Sequence, residues 1–157
     1  MSLTFSEAAR KEIDFLLTRY PNRKATALPV LRVAEKEFGA IDNDVMVLVG
    51  KTLDLSPAFI RGIFTFYTHF RRPEWGEYLL QVCSTLSCAL RGQKTLLDHL
   101  EKKLGIKPGE TTPDRKFTLI KVECLARCGE APVLQVNDET YVDVTPEKAD
   151  KILESLK

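Results

Sequence analysis

Two short stretches decide how this chain is organised: Cys83-Ser-Thr-Leu-Ser-Cys88 and Cys124-Leu-Ala-Arg-Cys128. Together they contain all four cysteines of the protein, in C-x4-C and C-x3-C spacing. The first stretch follows residues 77–82 (EYLLQV) and the second follows residues 117–122 (FTLIKV), and both of these runs have the composition of a strand. We therefore expect both cysteine loops to open from the same edge of one sheet.

Four thiolates at one sheet edge can bind a [2Fe–2S] cluster, which takes four cysteine ligands. Such a cluster is anionic and gains a further negative charge on reduction, so its site needs hydrogen-bond donors and positive potential. A helix that starts near Cys88 would offer unpaired backbone N–H groups and the positive end of its dipole. Arg91 and Arg127 are candidates for nearby positive charge, with ordinary solvated arginines as the alternative.

Zinc is the main competing interpretation of the four cysteines. Structural zinc sites also use four cysteines, but their pairs usually have C-x2-C spacing. Disulfides are disfavoured if the chain is cytoplasmic, and the C-x-x-C motif of a thioredoxin-type redox dithiol is absent. A Rieske centre needs two histidine ligands, whereas His69 and His99 lie outside the cysteine loops and are interpreted as surface or packing residues. A zinc-stabilised structural adaptor therefore stays open at this point.

Composition limits the other functions. The net charge is +1 with both signs interspersed, which gives no basis for binding nucleic acid. The N-terminus has no signal-peptide core, and no apolar run reaches the roughly 20 residues of a spanning helix. We therefore predict a cytoplasmic chain, with contact to a membrane only through partners. Neither a G-x-G-x-x-G after a strand nor a P-loop is present, so no NAD or flavin site is recognised and no catalytic residue is predicted.

The first part of the chain, residues 1–72, is predicted to be a bundle of amphipathic helices. The helix starts are placed at a Thr4 or Ser6 cap, near Ala27–Leu28 with Pro29 in the first turn, after Asp42-Asn43, and at Ser56-Pro57. Aromatic residues are crowded near the end of this segment and are candidates for clamping a partner, with core packing as the alternative for about half of them: Phe64, Phe66, Tyr67 and Phe70.

The second part, residues 73–157, begins where residues 71–76 break the helical pattern. The two strand runs flank a helix predicted from Ser87 to about Leu104, which carries Leu90, Leu97, Leu100 and Leu104. A hairpin over Val133–Val136 and Thr140–Val144 follows, and Thr145-Pro146 starts a last helix. The resulting order, β-α-β-β-β-α, predicts a thioredoxin-like arrangement, and the whole chain an α+β protein with an N-terminal helical bundle.

With these residues in view, the chain resembles the small [2Fe–2S] subunit of the NADH-dehydrogenase module of respiratory complex I, the NADH-quinone oxidoreductase. That small subunit is a thioredoxin-like ferredoxin. The resemblance covers nearly the whole chain and rests on residues 62–67 (GIFTFY), 81–88 (QVCSTLSC), 104–110 (LGIKPGE), 122–128 (VECLARC), 131–132 (AP) and 135–138 (QVND).

This resemblance implies that Cys83, Cys88, Cys124 and Cys128 bind one [2Fe–2S] cluster. It also implies a larger partner subunit that carries FMN, the NADH site and a [4Fe–4S] cluster, on the cytoplasmic face of the inner membrane. The same motifs serve in the diaphorase parts of NAD-reducing hydrogenases and NAD-dependent formate dehydrogenases, which are the alternative setting.

Two local features can be checked against a structure. Residue 126 is Ala where the resembling family has Gly, so a positive φ at this position would strain the backbone. In thioredoxin-like folds a cis-proline commonly precedes the strand opposite the redox loop, and Pro132 stands just before the Val133 strand. We therefore predict a cis Ala131–Pro132 bond.

Overall fold

The structure, a computed structural model, describes residues 3–156. It divides into two compact units: the first ends at Pro73 and the second begins at Glu74. The first unit is helical and the second is built on a four-stranded sheet. The α+β class with helices before the sheet is therefore confirmed. No helix within residues 3–156 has both the length and the apolar character needed to cross a bilayer.

The helical unit contains α1 (Glu7–Arg19), α2 (Arg23–Phe38), α3 (Asn43–Leu53) and α4 (Pro57–Phe66). A polar side chain caps the first turn of each helix by accepting a backbone N–H bond; the four caps are Ser6, Asn22, Asp42 and Ser56. Such caps satisfy donors that a helix start leaves unpaired. The predicted starts of α1, α3 and α4 are confirmed.

The start predicted for α2 is wrong by about one turn. The helix begins at Arg23 because the Asn22 side chain accepts the N–H bond of Ala25 at 2.9 Å. Pro29 therefore lies inside the helix and not in its first turn. An interior proline cannot donate to the carbonyl one turn earlier, but burial of neighbours such as Val30 and Leu31 keeps the helix in place.

The core of the helical unit is formed by apolar side chains from all four helices. It includes Ile13 of α1, Leu31 of α2, Val49 of α3 and Ile60 of α4, all of which are almost fully buried. Because each helix presents one apolar stripe, packing the stripes together removes them from water, which is the main favourable term in folding.

The second unit has the strand order β2-β1-β3-β4. Its strands are β1 (Tyr78–Cys83), β2 (Phe117–Val122), β3 (Leu134–Val136) and β4 (Glu139–Tyr141). β1 pairs in parallel with β2, which puts the carboxyl ends of both strands at the same edge, and pairs antiparallel with β3 on its other side. The shared edge predicted for the two cysteine loops is therefore confirmed.

The single helix predicted from Ser87 to Leu104 is two helices, α5 (Leu86–Leu90) and α6 (Gln93–Leu104). Gly92 breaks the run with a φ of 102°, a left-handed conformation that suits glycine. Leu90, at the end of α5, is 78% exposed, whereas Leu96 and Leu100 of α6 are fully buried. The leucine spacing fits one continuous helix, so the pattern along the chain does not indicate the break.

The hairpin is tighter than predicted. Val136 pairs with Glu139, so only Asn137 and Asp138 form the turn, and β4 ends at Tyr141. Asn137 has a φ of 51°, which asparagine tolerates. The last helix, α7 (Pro146–Ser155), begins as predicted, with Thr145 accepting the N–H bond of Lys148.

Candidate functional site

The two cysteine loops start side by side. Cys83 is the last residue of β1 and is in register with Val122, the last residue of β2. Cys124 follows two residues later, and the Cys83 Sγ lies 3.7 Å from the carbonyl oxygen of Glu123. The parallel pairing of the strands is therefore what brings residues about 40 positions apart in sequence to one place.

The second cysteine of each motif lies on a short helical segment. Cys88 is in α5, and Cys128 begins the 3₁₀ turn Cys128–Glu130, which packs against α5. Cys83 and Cys88 are buried, whereas Cys124 and Cys128 are exposed, and all four are free thiols. The site therefore consists of an inner pair and an outer pair of thiols.

The inner pair interacts directly. Burial, together with a hydrogen bond to Cys83, raises the pKa of the Cys88 thiol to about 11. At Cys83 burial also opposes the thiolate, but the backbone N–H groups of Leu125 and Thr85 and the Cys88 thiol outweigh it and lower the pKa. Cys128 is close enough that its charge contributes to the raised pKa of Cys88. Cys88 thus interacts electrostatically with two of the other three predicted residues, Cys83 and Cys128.

Backbone N–H groups point at three of the four sulfurs in the site. Leu125 donates to Cys83, Val133 donates to Cys88, and the N–H of Ala126 lies 3.3 Å from the Cys124 Sγ. Donors around sulfur stabilise negative charge on it. Four free thiols, three of them with such donors, match what an anionic [2Fe–2S] cluster requires, so the residues present fit this group.

The competing interpretation of the four cysteines is a site for a single metal ion such as zinc. Within residues 3–156, no group of three or more His, Cys, Asp or Glu side chains is arranged to hold a metal ion. A structural zinc site needs all four sulfurs about 2.3 Å from one point. A [2Fe–2S] cluster spreads its ligands over two irons. The metal and labile-sulfide content of the isolated protein decides between these two groups.

The two arginines expected to supply positive potential both have acidic partners. The Arg127 Nε lies 2.7 Å from Glu130 Oε2, and an Arg91 nitrogen lies 3.8 Å from Asp143 Oδ1. All four side chains are about half exposed. Each arginine charge is thus paired with a carboxylate, and the exposure of both side chains agrees with the alternative that they are ordinary solvated arginines.

Both histidines have partners other than the cysteines. The His69 ring belongs to the helical unit and packs against Tyr67 and Phe70, as expected of a packing residue. His99 lies on α6, where its Nε2 is 2.7 Å from Asp150 Oδ1. These contacts agree with the interpretation of both histidines as surface or packing residues.

Two local predictions at the site are confirmed. Ala126 has a φ of 58°, and the Ala131–Pro132 bond is cis. Sequence patterns did not indicate the N–H donors from Leu125 and Val133. They also did not indicate that the Thr85 side chain lies beside Cys83. Backbone donors leave no signal in a sequence, since every residue except proline has an N–H group.

Comparison with known proteins agrees with this description. The family model for thioredoxin-like [2Fe–2S] ferredoxins matches residues 13–157. An NADH-quinone oxidoreductase subunit of Rhizobium meliloti is 41% identical over 148 residues, covering 94% of this chain and 88% of that protein. An NADH-quinone oxidoreductase subunit of Thermus thermophilus is 41% identical over 150 residues, covering 92% and 83%.

A solved structure shares the fold. A chain of an NAD⁺-reducing [NiFe]-hydrogenase superposes with a TM-score of 0.71 at 20% identity, over 80% of this chain and 22% of its own length. At this identity the likeness shows the fold alone. Given the family match over nearly the whole sequence and the identity to the two subunits, this chain belongs to the thioredoxin-like [2Fe–2S] ferredoxin family.

Proposed function

We propose that this chain is the electron-transfer subunit of an NADH:quinone oxidoreductase, and that Cys83, Cys88, Cys124 and Cys128 bind one [2Fe–2S] cluster. The observation that carries the proposal is the position of four free thiols in two loops at one edge of a parallel strand pair. Family membership supports the cluster, and the relatives named as subunits of NADH-quinone oxidoreductase support the setting.

The partner in this proposal is the subunit that carries FMN and binds NADH, with its own [4Fe–4S] cluster. The complex would then place this chain on the cytoplasmic face of the inner membrane, without direct contact to the bilayer. The helical unit would contribute to docking through the exposed aromatic side chains at the end of α4, since exposed apolar patches usually mark interfaces.

When bound, the cluster takes up and releases one electron at a time. The protein's own contribution is to hold four sulfurs in place and to stabilise their charge. The N–H groups of Leu125, Ala126 and Val133 point at three of these sulfurs. Because these donors belong to the backbone, they need no rearrangement when the charge changes.

The cluster is tested on protein isolated anaerobically from its native host. We expect about two irons and two acid-labile sulfides per chain, and an S = 1/2 EPR signal after reduction with dithionite. Serine replacement of any of the four cysteines should abolish or alter the signal, whereas His69→Ala and His99→Ala should leave it unchanged. Stoichiometric zinc without labile sulfide would overturn the proposal in favour of the structural adaptor.

The assignment to an NADH:quinone oxidoreductase is tested by identifying the proteins that copurify with this chain. We expect an FMN-containing subunit with NADH-oxidising activity and further quinone-reductase subunits. The shared fold with a chain of an NAD⁺-reducing hydrogenase keeps a diaphorase as the second candidate, in a hydrogenase or an NAD-dependent formate dehydrogenase. Copurification of hydrogenase or formate dehydrogenase subunits in place of quinone-reductase subunits would decide for that candidate.

A further inference from the structure

Thr85 is in a position to cap a helix but does not do so. It is the residue before α5, where threonine commonly accepts an N–H bond from the first turn, yet its side chain makes no such bond. Thr145 at the start of α7 does make one, to Lys148. The Thr85 Oγ1 instead lies 3.7 Å from the Cys83 Sγ, within hydrogen-bonding reach of a sulfur.

The direction of this hydrogen bond follows from the state of the sulfur. While Cys83 is a thiol, either atom can be the donor. A cysteine that binds iron is a thiolate and has no proton to donate. The hydroxyl of Thr85 must then be the donor and the sulfur the acceptor.

We propose that Thr85 is a positioning residue that donates a hydrogen bond to the Cys83 ligand and thereby raises the reduction potential of the cluster. The inference rests on the proposed function, because it takes Cys83 as an iron ligand. Reduction adds negative charge that the ligand sulfurs share. Hydrogen bonds to charged acceptors strengthen as the charge grows, so the donor stabilises the reduced state more than the oxidised state.

The test is a redox titration, followed by EPR, of the full-length, cluster-loaded protein. Thr85→Val keeps the size and branching of the side chain but removes the donor. We expect its midpoint potential to be more negative than that of the wild type, with the equilibrium constant for reduction lowered up to about tenfold, or about 59 mV for one electron. Thr85→Ser keeps the hydroxyl and should stay near the wild-type potential.

A neighbouring hydroxyl supplies the control. The Ser84 Oγ donates to the carbonyl oxygen of Val122 at 2.9 Å and not to a sulfur. Ser84→Ala removes a hydroxyl from the same loop and should leave the potential unchanged. A purely structural role of Thr85 would lower the thermal stability of Thr85→Val without moving its potential.

An unchanged midpoint in cluster-loaded Thr85→Val would overturn the inference, as would an equal shift in Ser84→Ala. If Thr85→Val does not assemble a cluster, Thr85→Ala against Thr85→Ser makes the same comparison. Wild-type protein that binds no cluster would instead overturn the proposed function, so the two failures are distinguishable.

Discussion

Ala126 carries the clearest backbone strain in the cysteine loops. Its φ of 58° is in the left-handed region, which costs a residue with a Cβ about 1–2 kcal/mol. This conformation nevertheless turns its N–H toward the Cys124 Sγ, at 3.3 Å. The strained backbone at Ala126 thus accompanies a hydrogen bond that stabilises negative charge on the Cys124 sulfur.

We expect Ala126→Gly to stabilise the folded protein by up to about 1 kcal/mol, since the relief of strain exceeds the entropy that glycine adds to the unfolded chain. The measurement is thermal unfolding of the anaerobic, cluster-loaded protein, in which Tm should rise by a few degrees. Ala89→Gly, at an exposed position inside α5, is the matched control and should lower Tm. A lower Tm for Ala126→Gly would show that the alanine is not strained.

At Arg127 the ion pair changes how the charge acts on the site. Replacing Arg127 by Ala removes a positive charge and also leaves the Glu130 carboxylate, its 2.7 Å partner, uncompensated. We expect a more negative midpoint potential in Arg127→Ala and a return toward the wild-type value in the double variant Arg127→Ala, Glu130→Gln. Both side chains are about half exposed, so the shift should shrink as salt is raised. Equal potentials for the single and double variants would contradict this account.

At the scale of elements, α6 and α7 are joined by a small charged cluster. Asp150 of α7 accepts from Lys103 at 2.8 Å and pairs with His99 at 2.7 Å, both on α6. The hydrogen bond from Lys103, and then that from His99, lowers the pKa of the Asp150 carboxyl. A carboxyl whose pKa is lower in the folded state stabilises the fold above its unfolded pKa of about 3.9 and loses that contribution as the pH falls through the folded pKa.

We therefore expect Asp150→Asn to lower Tm at pH 5 and the difference from the wild type to shrink as the pH approaches 3. Asp98→Asn is the control, because Asp98 pairs with Lys94 one turn away on the exposed face of α6. Such surface pairs contribute little, so its effect on Tm should be smaller. A difference between Asp150→Asn and the wild type that grows toward pH 3 would have the wrong sign.

At the scale of the whole molecule, the helical unit leaves aromatic surface uncovered. Of the four crowded aromatics, Phe64 and Phe70 are buried, whereas Phe66 is 76% and Tyr67 36% exposed. The exposed pair stacks edge to face with ring centroids 5.0 Å apart. Core packing thus accounts for half of these side chains, and the other half is available for the proposed docking of the flavin-bearing subunit.

The double variant Phe66→Ala, Tyr67→Ala should lose copurified NADH-oxidising activity while it keeps the EPR signal of the cluster. Phe15→Ala removes a similarly exposed ring from α1 and should keep the activity. Loss of the cluster signal in the double variant with partner binding retained would argue against docking through this surface.

The class of the fold and the candidate ligands could be predicted from residues that are neighbours along the chain. Strand composition before each cysteine pair, cap residues such as Ser56, and the Ala131-Pro132 dipeptide are local signals, and local signals can be read from neighbouring residues. The alanine at residue 126 is likewise a local signal, because it stands where the resembling family has glycine. The family resemblance added the cluster and the partner, and membership in that family is confirmed.

The partners of each site residue, by contrast, become visible only in the folded chain. The pairing of Arg127 with Glu130, the burial of Cys83 and Cys88 in contrast to the exposed outer pair, and the approach of Thr85 to sulfur all depend on how the loops lie in space. The break at Gly92 also separates α5 from α6. As a result α6 packs against β1, whereas α5 packs against the 3₁₀ turn that begins at Cys128. Arg127 and Glu130 are only three residues apart, and Cys83 and Thr85 only two, but whether such neighbours touch depends on the backbone conformation of each loop, which the residue types do not specify.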